Sequence, residues 1–233
     1  MNIGSKLVPT FVVGPESASV AAVADGLSRC DGVIGFGRPL EVFSEMPGLV
    51  DLVANSEVLY SPTRQAEARR HVLNRWGQVV DAEEGPSFGS TQVREESRAA
   101  MAAYLAALPT GRWSGRELQS VHDATTRFLH SLARSHAQWA LAPRVLLDQA
   151  PFGLLTSRTL LRILPDAQFI HVVRDPVDLV RSLAGGVWGP IAIDSATAWC
   201  QQYAEAASDA ISVLPADRVL QVQWEELQHN HMN

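Results

Sequence analysis

The stretch FIHVVRDPVDLVRSL, residues 169–183, decides the fold, because a strand pattern passes directly into a helix pattern within it. Its first five residues are apolar except for one histidine, as in a strand that is buried on both faces. Pro176 suits the first turn of a helix, where its missing amide hydrogen has no intrahelical partner. Arg174 stands at the junction, so we expect a permanent cation at the carboxyl end of a buried strand.

The same alternation of strand and helix extends along the chain on both sides of this stretch. Helical patterns separate the strand patterns, and the middle of the chain, residues 46–142, is mostly helical. This order predicts an α/β fold, in which a parallel β-sheet of four to five strands is flanked by helices. Residues 1–233 are predicted to form a single domain. The strand patterns lie at 7–13, 32–36, 144–148, 168–173 and 218–223.

The clearest helix pattern in the middle of the chain begins at Ser114-Gly-Arg-Glu117. This spacing predicts a capping box, in which the serine and glutamate side chains bind each other's free backbone amides. The apolar stripe of the helix is predicted to belong to the core. The stripe consists of Leu118, Val121, Thr125, Phe128 and Leu132.

Composition and charge exclude several classes of protein. Charged residues make up 19% of the chain, and the net charge of −6 is not gathered into acidic or basic runs. We therefore expect neither a nucleic-acid partner nor a membrane surface as partner. Cys30 and Cys200 are isolated, which predicts no disulfide framework and no metal site and suits the reducing cytoplasm. The apolar run at 7–13 is too short to span a bilayer and is predicted to be the first strand.

Arg174 and Ser182 have the spacing of a site for an anion. In an open parallel sheet, ligands bind beyond the carboxyl ends of the strands, near helix N-termini. Ser182 lies eight residues after Arg174, about two helical turns, so its hydroxyl can share a group with the guanidinium. An arginine with a hydroxyl suits a phosphate. The alternative is that Arg174 pairs with Asp175 or Asp178 and that Ser182 is a helix-surface residue.

The segment RILPDAQFIHVVRDPVDLVRSL, residues 162–183, resembles the second nucleotide-binding element of the PAPS-dependent sulfotransferases, FPDARFIHLVRDPRDVVxS. Residues 144–166 and 198–227 are similar to flanking elements of that family in order and spacing. The resemblance implies a P-loop-like sulfotransferase fold and 3′-phosphoadenosine 5′-phosphosulfate (PAPS) as the co-substrate, without a metal. It also implies that Arg174 and Ser182 bind the 3′-phosphate of that donor.

The first loop, in FVVGPESASVAAVADGL at 11–27, is similar to the family's FIVGxPRSGTSLLxxLL. The resemblance places Gly14, Ser17 and Ser19 around the 5′-phosphosulfate, where backbone amides and hydroxyls cradle an anion. Relatives carry Arg or Lys where this chain has Glu16, and Gln149 replaces the lysine of a neighbouring element.

Glu16 is the serious departure from the family pattern. A carboxylate about 4 Å from a phosphate oxygen costs roughly 4 kcal/mol at an effective dielectric constant near 20. Loss of a catalytic arginine lowers phosphoryl-transfer rates by about 10³ to 10⁵. Activity would survive if Glu16 turned outward and another cation entered, and the candidates are Arg38, Arg158 and Arg181.

The acceptor side is less defined by the sequence. Sulfuryl transfer needs a base to take the acceptor's proton, and the candidates are Glu41, which follows the second strand, then His71 and His122 on predicted helices. Each of the three has the alternative of a packing or surface residue, and His171 is predicted to be structural. Candidate aromatic residues for an apolar acceptor pocket, with Trp188 favoured, are Phe36, Phe43, Trp76, Trp113, Trp139 and Trp188.

Relatives usually continue beyond the turn after RVLQVQWEEL, 218–227, into a basic segment that covers the donor. The sequence printed here stops at residue 233, so we expect that lid to be lacking, or to come from another chain in a homo-oligomer. The expected function is transfer of a sulfuryl group from PAPS to a hydroxyl of a small apolar metabolite, in secondary metabolism. The alternative is a member of the fold that binds a ligand, or catalyses another reaction, without sulfating.

Overall fold

The computed structural model describes residues 7–43, 48–58, 61–82, 88, 90–136, 143–184, 186, 189–190 and 192–230. Its strands are β1 (Val8–Val13), β2 (Val33–Gly35), β3 (Val145–Gln149), β4 (Gln168–Val173) and β5 (Val219–Gln223). Its α-helices are α1 (Ser17–Leu27), α2 (Leu49–Val53), α3 (Pro62–Asp81), α4 (Thr91–Ala107), α5 (Arg116–Arg134), α6 (Ser157–Ile163), α7 (Pro176–Ala184), α8 (Ile193–Ser212) and α9 (Trp224–Asn230).

The five strands form one sheet in the order β2-β3-β1-β4-β5, and every neighbouring pair is parallel. After β1 the chain passes through α1 to β2 at one edge of the sheet, whereas after β4 it passes through α7 and α8 to β5 at the other edge. The strand order therefore reverses between β1 and β4, and such a reversal opens a crevice at the carboxyl ends of the strands. The α/β parallel sheet predicted from the sequence is confirmed.

One face of the sheet is covered by α1. Val12 of β1 and Val172 of β4 pack against Val20 of α1, and all three are fully buried. Gly14 allows this close approach, because a Cβ atom there would lie 2.9 Å from the carbonyl oxygen of Val172 and 3.0 Å from Cγ2 of Val20. A glycine at the end of β1 therefore lets α1 start directly beside β4.

The opposite face carries the larger core, in which aromatic rings from strands and helices interlock. Phe11 of β1 stacks on Phe169 of β4 with ring centroids 5.8 Å apart, and Phe43 meets Phe11 edge to face at 6.0 Å. Trp76 of α3 meets Phe128 of α5 at 5.7 Å. Offset and edge-to-face contacts of this kind add to the stability that burial alone gives.

Helix α5 confirms its predicted core stripe but not its predicted start. Val121, Thr125, Phe128 and Leu132 are buried, and Leu118 packs against them partly exposed. The predicted capping box is wrong: the N-cap is Gly115, with φ of 50°, and no side chain caps the helix. Gly115 adopts this left-handed conformation without the steric cost that a side chain would add, which lets the chain enter the helix one residue later than the motif implies.

None of the helices in the described ranges combines the length and the apolar character that crossing a bilayer requires. Likewise, the described residues contain no group of three or more acidic, histidine or cysteine side chains that could hold a metal ion.

His171 of β4 is predicted to make the stability of the protein depend on pH. It is 7% exposed, and burial lowers the pKa of its imidazole from its ordinary value to about 4. Between about pH 6.5 and about pH 4 the unfolded chain binds a proton that the folded chain does not, so stability falls as the pH falls through this window. We expect His171 to account for a loss of about 2 kcal/mol between about pH 7 and about pH 5.

Urea unfolding at the two pH values measures this loss. His171→Gln should reduce the pH dependence by about that amount, whereas the matched variant His71→Gln, at an exposed histidine, should leave it unchanged. An unaltered pH dependence in His171→Gln would show that the imidazole is not held neutral.

Candidate functional site

The crevice between β1 and β4 holds an arginine, a serine and a carboxylate in direct contact. Arg174 follows β4, and Glu16 follows β1; the register of Val13 with His171 brings these strand ends side by side. Nη1 of Arg174 donates a hydrogen bond to Oε2 of Glu16, and Oγ of Ser182 donates one to Oε1 of the same carboxylate. Arg174 and Ser182 thus converge on one anion, as the spacing of eight residues predicts.

The Glu16 carboxylate is stabilised in its charged form by these two donors. Burial raises the pKa of this carboxyl, but the hydrogen bonds from Ser182 and Arg174 and the Arg174 charge outweigh burial and bring the pKa below its ordinary value. The Arg174 side chain is 20% exposed and that of Glu16 11%. The ion pair is therefore more shielded from water than an ordinary surface pair.

One hydrogen-bond donor of Arg174, its Nε, is not used by Glu16. Its Nε is buried and has no hydrogen-bond partner among the described residues, while Nη1 binds the carboxylate. A guanidinium presents Nε and Nη2 together on one edge, as a fork that suits phosphate and carboxylate groups, whereas Glu16 is bound by Nη1. The site consequently uses only part of the anion-binding capacity of Arg174.

The two aspartates offered by the sequence as alternative partners of Arg174 have other roles. Oδ1 of Asp175 accepts hydrogen bonds from the backbone amides of Val177 at 2.9 Å and Asp178 at 3.1 Å, in the first turn of α7. Asp178 pairs with Arg181 at 3.4 Å on the exposed side of the helix. That alternative is therefore wrong, since both carboxylates serve α7 while Arg174 points into the crevice.

The first loop, between β1 and α1, uses two of its hydrogen-bond donors on carbonyl oxygens of the protein. The amide of Gly14 donates to the carbonyl oxygen of Pro151 at 2.9 Å. Ser17, the first residue of α1, is exposed, whereas Ser19 is buried and donates its hydroxyl to the carbonyl oxygen of Glu16 at 3.2 Å. Glu16 itself is the N-cap of α1, but its side chain does not cap that helix. The carboxylate reaches across to Arg174 instead.

Glu16 accordingly points into the crevice, so the hypothesis of an outward-turned carboxylate is wrong for this conformation. Of the three replacement cations, Arg181 pairs with Asp178, Arg158 is exposed on α6, and Arg38 is half-buried after β2. Because β3 lies between β2 and β1, Arg38 is separated from the loop by one strand. A role for any of them in binding the donor stays a prediction.

Gln149 lies at the end of β3 beside β1, in register with Val12, and is 7% exposed. This is the position at which relatives are expected to place a lysine against the donor. The structure therefore puts an uncharged amide next to the loop, where it can donate hydrogen bonds but cannot neutralise charge.

The three candidate bases are not gathered at the crevice. Glu41 follows β2 with φ of 58° and pairs with Arg75 of α3. His71 is exposed one helical turn before Arg75, so it lies on the same side of α3. His122 lies near the opposite end of the sheet, in a cavity that the first residues of β1 also line, with its Nε2 2.7 Å from the carbonyl oxygen of Arg162.

Of the aromatic residues considered for an acceptor pocket, Phe36, Phe43, Trp76 and Trp113 are each at most 3% exposed and belong to the core. Trp139 and Trp188 lie outside the described residues.

Sequence reasoning missed the contact between Glu16 and the Arg174–Ser182 pair. The available signal was that opposite charges directly follow two apolar runs, GPE after the first and RD after the fourth. Recognising a pair from this signal requires knowing that β1 and β4 are neighbours, which the sheet order supplies and the sequence does not.

The chain is similar to one known protein family and to solved structures. The profile of the sulfotransferase family matches residues 78–233. No protein with a curated description matches the sequence. Among solved structures, a sulfotransferase domain from the Synechococcus PCC 7002 olefin synthase is similar, with 19% identity, a TM-score of 0.44, and coverage of 96% of this chain and 68% of the other. A sulfotransferase domain from the curacin biosynthetic pathway is similar at 15% identity and a TM-score of 0.46, with coverage of 95% and 68%.

The Glu16–Arg174 pair is predicted to couple β1 to β4 energetically. In a double-mutant cycle with Glu16→Ala and Arg174→Ala, urea unfolding should give a coupling free energy of about 1 to 3 kcal/mol, because both partners are shielded and hydrogen-bonded. The matched cycle on the exposed Asp178–Arg181 pair should give about 0.5 kcal/mol or less. Equal coupling in the two cycles would mean that the crevice pair is as solvated as a surface pair.

Proposed function

Because the chain belongs to the sulfotransferase family, we propose that it transfers a sulfuryl group from PAPS to a hydroxyl of a small apolar metabolite. The observation that carries the proposal is the convergence of Arg174 and Ser182 on a single anionic group at the crevice between β1 and β4. The same two residues are those that the family resemblance assigns to the 3′-phosphate of the donor.

The Glu16 carboxylate acts here as an internal substitute for a phosphate. A carboxylate offers two oxygens, and each receives one donor, Arg174 or Ser182. A phosphate offers one more oxygen and more negative charge. In this proposal it binds the edge of the guanidinium that carries Nε and Nη2, since Nε has no partner among the described residues. Arg174 therefore makes two charge-assisted bonds to a phosphate there, against the single bond from Nη1 to Glu16, and bonds of this kind are strong.

Donor binding then requires the Glu16 side chain to leave Arg174 and Ser182. The carboxylate and the 3′-phosphate compete for the Ser182 hydroxyl and for the Arg174 charge, and their own charges repel each other if both stay. In this proposal Gly14, Ser17 and Ser19 hold the 5′ side of the donor at the start of α1, after the Gly14 amide and the Ser19 hydroxyl exchange their present acceptors, the carbonyl oxygens of Pro151 and Glu16, for the donor. Glu16 thus sets the affinity for the donor by competing with the 3′-phosphate.

In the transfer step the acceptor oxygen bonds to sulfur, the bond from sulfur to the bridging phosphate oxygen breaks, and 3′-phosphoadenosine 5′-phosphate leaves. A base takes the acceptor's proton. Glu41 and His71 stay candidates for this base. Glu41 follows β2 and pairs with Arg75, and His71 lies one helical turn before Arg75 on α3. His122 is not part of the proposal because it lies near the opposite end of the sheet. In this proposal the chain is a single domain in the cytoplasm and can form a homo-oligomer. Its partners are small molecules, and neither nucleic acid nor a membrane is a partner.

The second candidate function is that of a sulfotransferase-fold protein that binds a ligand, or catalyses another reaction, without sulfating. The observation that favours it is the same ion pair, because Glu16 already neutralises Arg174 and Gln149 supplies no cation beside the loop. The two candidates differ in whether the donor can displace Glu16.

Calorimetry with 3′-phosphoadenosine 5′-phosphate tests the proposal. The unaltered protein should bind it with a micromolar dissociation constant, and Arg174→Ala should weaken binding by about 1.5 to 3 kcal/mol, the usual contribution of a charge-assisted bond. Glu16→Gln should strengthen binding about tenfold or more, since it removes the competing charge and keeps the size of the side chain. Arg127→Ala, at an exposed arginine of α5, is the control, whereas Arg181→Ala tests whether that candidate cation contributes to binding.

Binding by Glu16→Gln but not by the unaltered protein would favour the second candidate function. Absence of binding in both proteins at millimolar ligand would contradict the donor site. Once binding is established, formation of a sulfated product from PAPS and a panel of phenols and alcohols, detected by mass spectrometry, distinguishes an enzyme from a binding protein.

A further inference from the structure

A second cavity lies under α8, on the face of the sheet opposite α1. It is lined by α7, α8 and strands β4 and β5, opens to solvent, and has a volume of about 470 Å³. We refer to it as the α8 cavity. Most of its exposed lining is apolar, with Val173, Leu179, Ala204, Ala207 and Ile211 forming much of the wall. A cavity of this volume and polarity is of the kind that holds a small organic molecule.

Two buried polar side chains reach this apolar cavity. Tyr203 of α8 and His171 of β4 both line it, each is 7% exposed, and their rings lie 6.4 Å apart. The hydroxyl of Tyr203 is buried and has no hydrogen-bond partner among the described residues. A buried hydroxyl without a partner is costly, so it points to a ligand group that completes its hydrogen bonding.

The charge state of the cavity favours a neutral ligand. Burial lowers the pKa of His171 to about 4 and raises that of Tyr203 above its ordinary value, so both side chains are uncharged at neutral pH. Arg174 borders the cavity, but its charge is balanced by Glu16. A charged ligand would lose its hydration without gaining a counter-ion.

We propose that the α8 cavity is a binding site for a neutral aromatic or aliphatic alcohol, whose hydroxyl pairs with Tyr203 and whose apolar body lies against α8. A hydroxyl group suits Tyr203 because each can donate to or accept from the other. This cavity adjoins the site of the Glu16–Arg174 pair, because Arg174 lines both. The alcohol meets Tyr203 and lies beside β4 and β5, so in this proposal both sites can be occupied at once. The inference does not rest on the proposed transfer of a sulfuryl group.

The site can be tested by calorimetric titration with 4-ethylphenol, using ethylbenzene and 4-ethylbenzoate as comparison compounds. The phenol should bind with a dissociation constant on the order of 0.1 mM, and 4-ethylbenzoate should bind at least about tenfold more weakly. Tyr203→Phe should weaken the phenol about fivefold to tenfold and leave ethylbenzene unchanged, because it removes only the hydroxyl.

Two alanines of α8 provide a matched pair of variants that locate the site. Ala204 lines the cavity, whereas Ala206 is exposed and is not part of the lining. Ala204→Leu should reduce phenol binding at least about tenfold by filling space, and Ala206→Leu should not change it. Because both positions are open to solvent, both variants are expected to fold.

The two cysteines give an internal control in the unaltered protein. Cys200 lines the cavity and Cys30 is exposed elsewhere, after α1. At mildly alkaline pH, 4-ethylphenol should slow alkylation of Cys200 and leave that of Cys30 unchanged, as measured by mass spectrometry. The proposal is overturned by absence of phenol binding at millimolar concentration, by equal effects of Ala204→Leu and Ala206→Leu, or by competition between 4-ethylphenol and 3′-phosphoadenosine 5′-phosphate. Failure of the nucleotide to bind leaves the titration with the phenol fully informative.

Discussion

The neutralisation of Arg174 is the constraint on which the crevice depends. The buried strand β4 ends just before this residue, and the Arg174 side chain is only one-fifth exposed, so the charge cannot rely on water alone. In the described structure, a carboxylate from the end of the neighbouring strand β1 supplies the counter-charge. Since a buried ion without a partner is strongly unfavourable, this position has to be occupied by an anion. Glu16 and an external phosphate are two ways of meeting the same requirement.

An internal anion has an advantage over a free one. Glu16 is tethered by α1 and β1, so it meets Arg174 without the loss of translational freedom that a ligand undergoes on binding. A ligand displaces it only by making additional interactions. Nε of Arg174 has no partner among the described residues, and the first amides of a helix such as α1 have no acceptor within the helix. Two effects therefore oppose each other. Tethering favours the Glu16–Arg174 pair, and the larger number of contacts made by a phosphate favours displacement of Glu16 from Arg174. Under the proposed function, a carboxylate at position 16 shifts this balance toward a lower donor affinity than an arginine or lysine there would give.

The sequence predicted the sheet well because its strands are buried on both sides and its helices carry distinct periodic patterns. It also predicted that Arg174 and Ser182 meet at one anion, since both follow from the geometry of a single strand–helix junction. It failed where residues distant in the chain meet. The Glu16–Arg174 contact joins residues 158 positions apart, and the placement of His122 near the amino end of the sheet depends on how α5 packs beside α6. The false capping box at Ser114 shows a local limit too, because Gly115 starts the helix by a backbone conformation that the motif does not encode.

The alternation of side chains along β4 explains why one strand serves two adjoining sites. Val172 faces α1 and belongs to the core on that side, whereas His171 and Val173 face the α8 cavity, as the period of two in a strand requires. Arg174, the next residue, lies beyond the last hydrogen-bonded position of the strand and is free to reach the crevice. A change in the register of β4 by one residue would exchange the two faces, and would bring an imidazole against α1 and a valine into the cavity. The fixed pairing of β4 with β1 and β5 therefore determines the polarity of the cavity and the position of the guanidinium together.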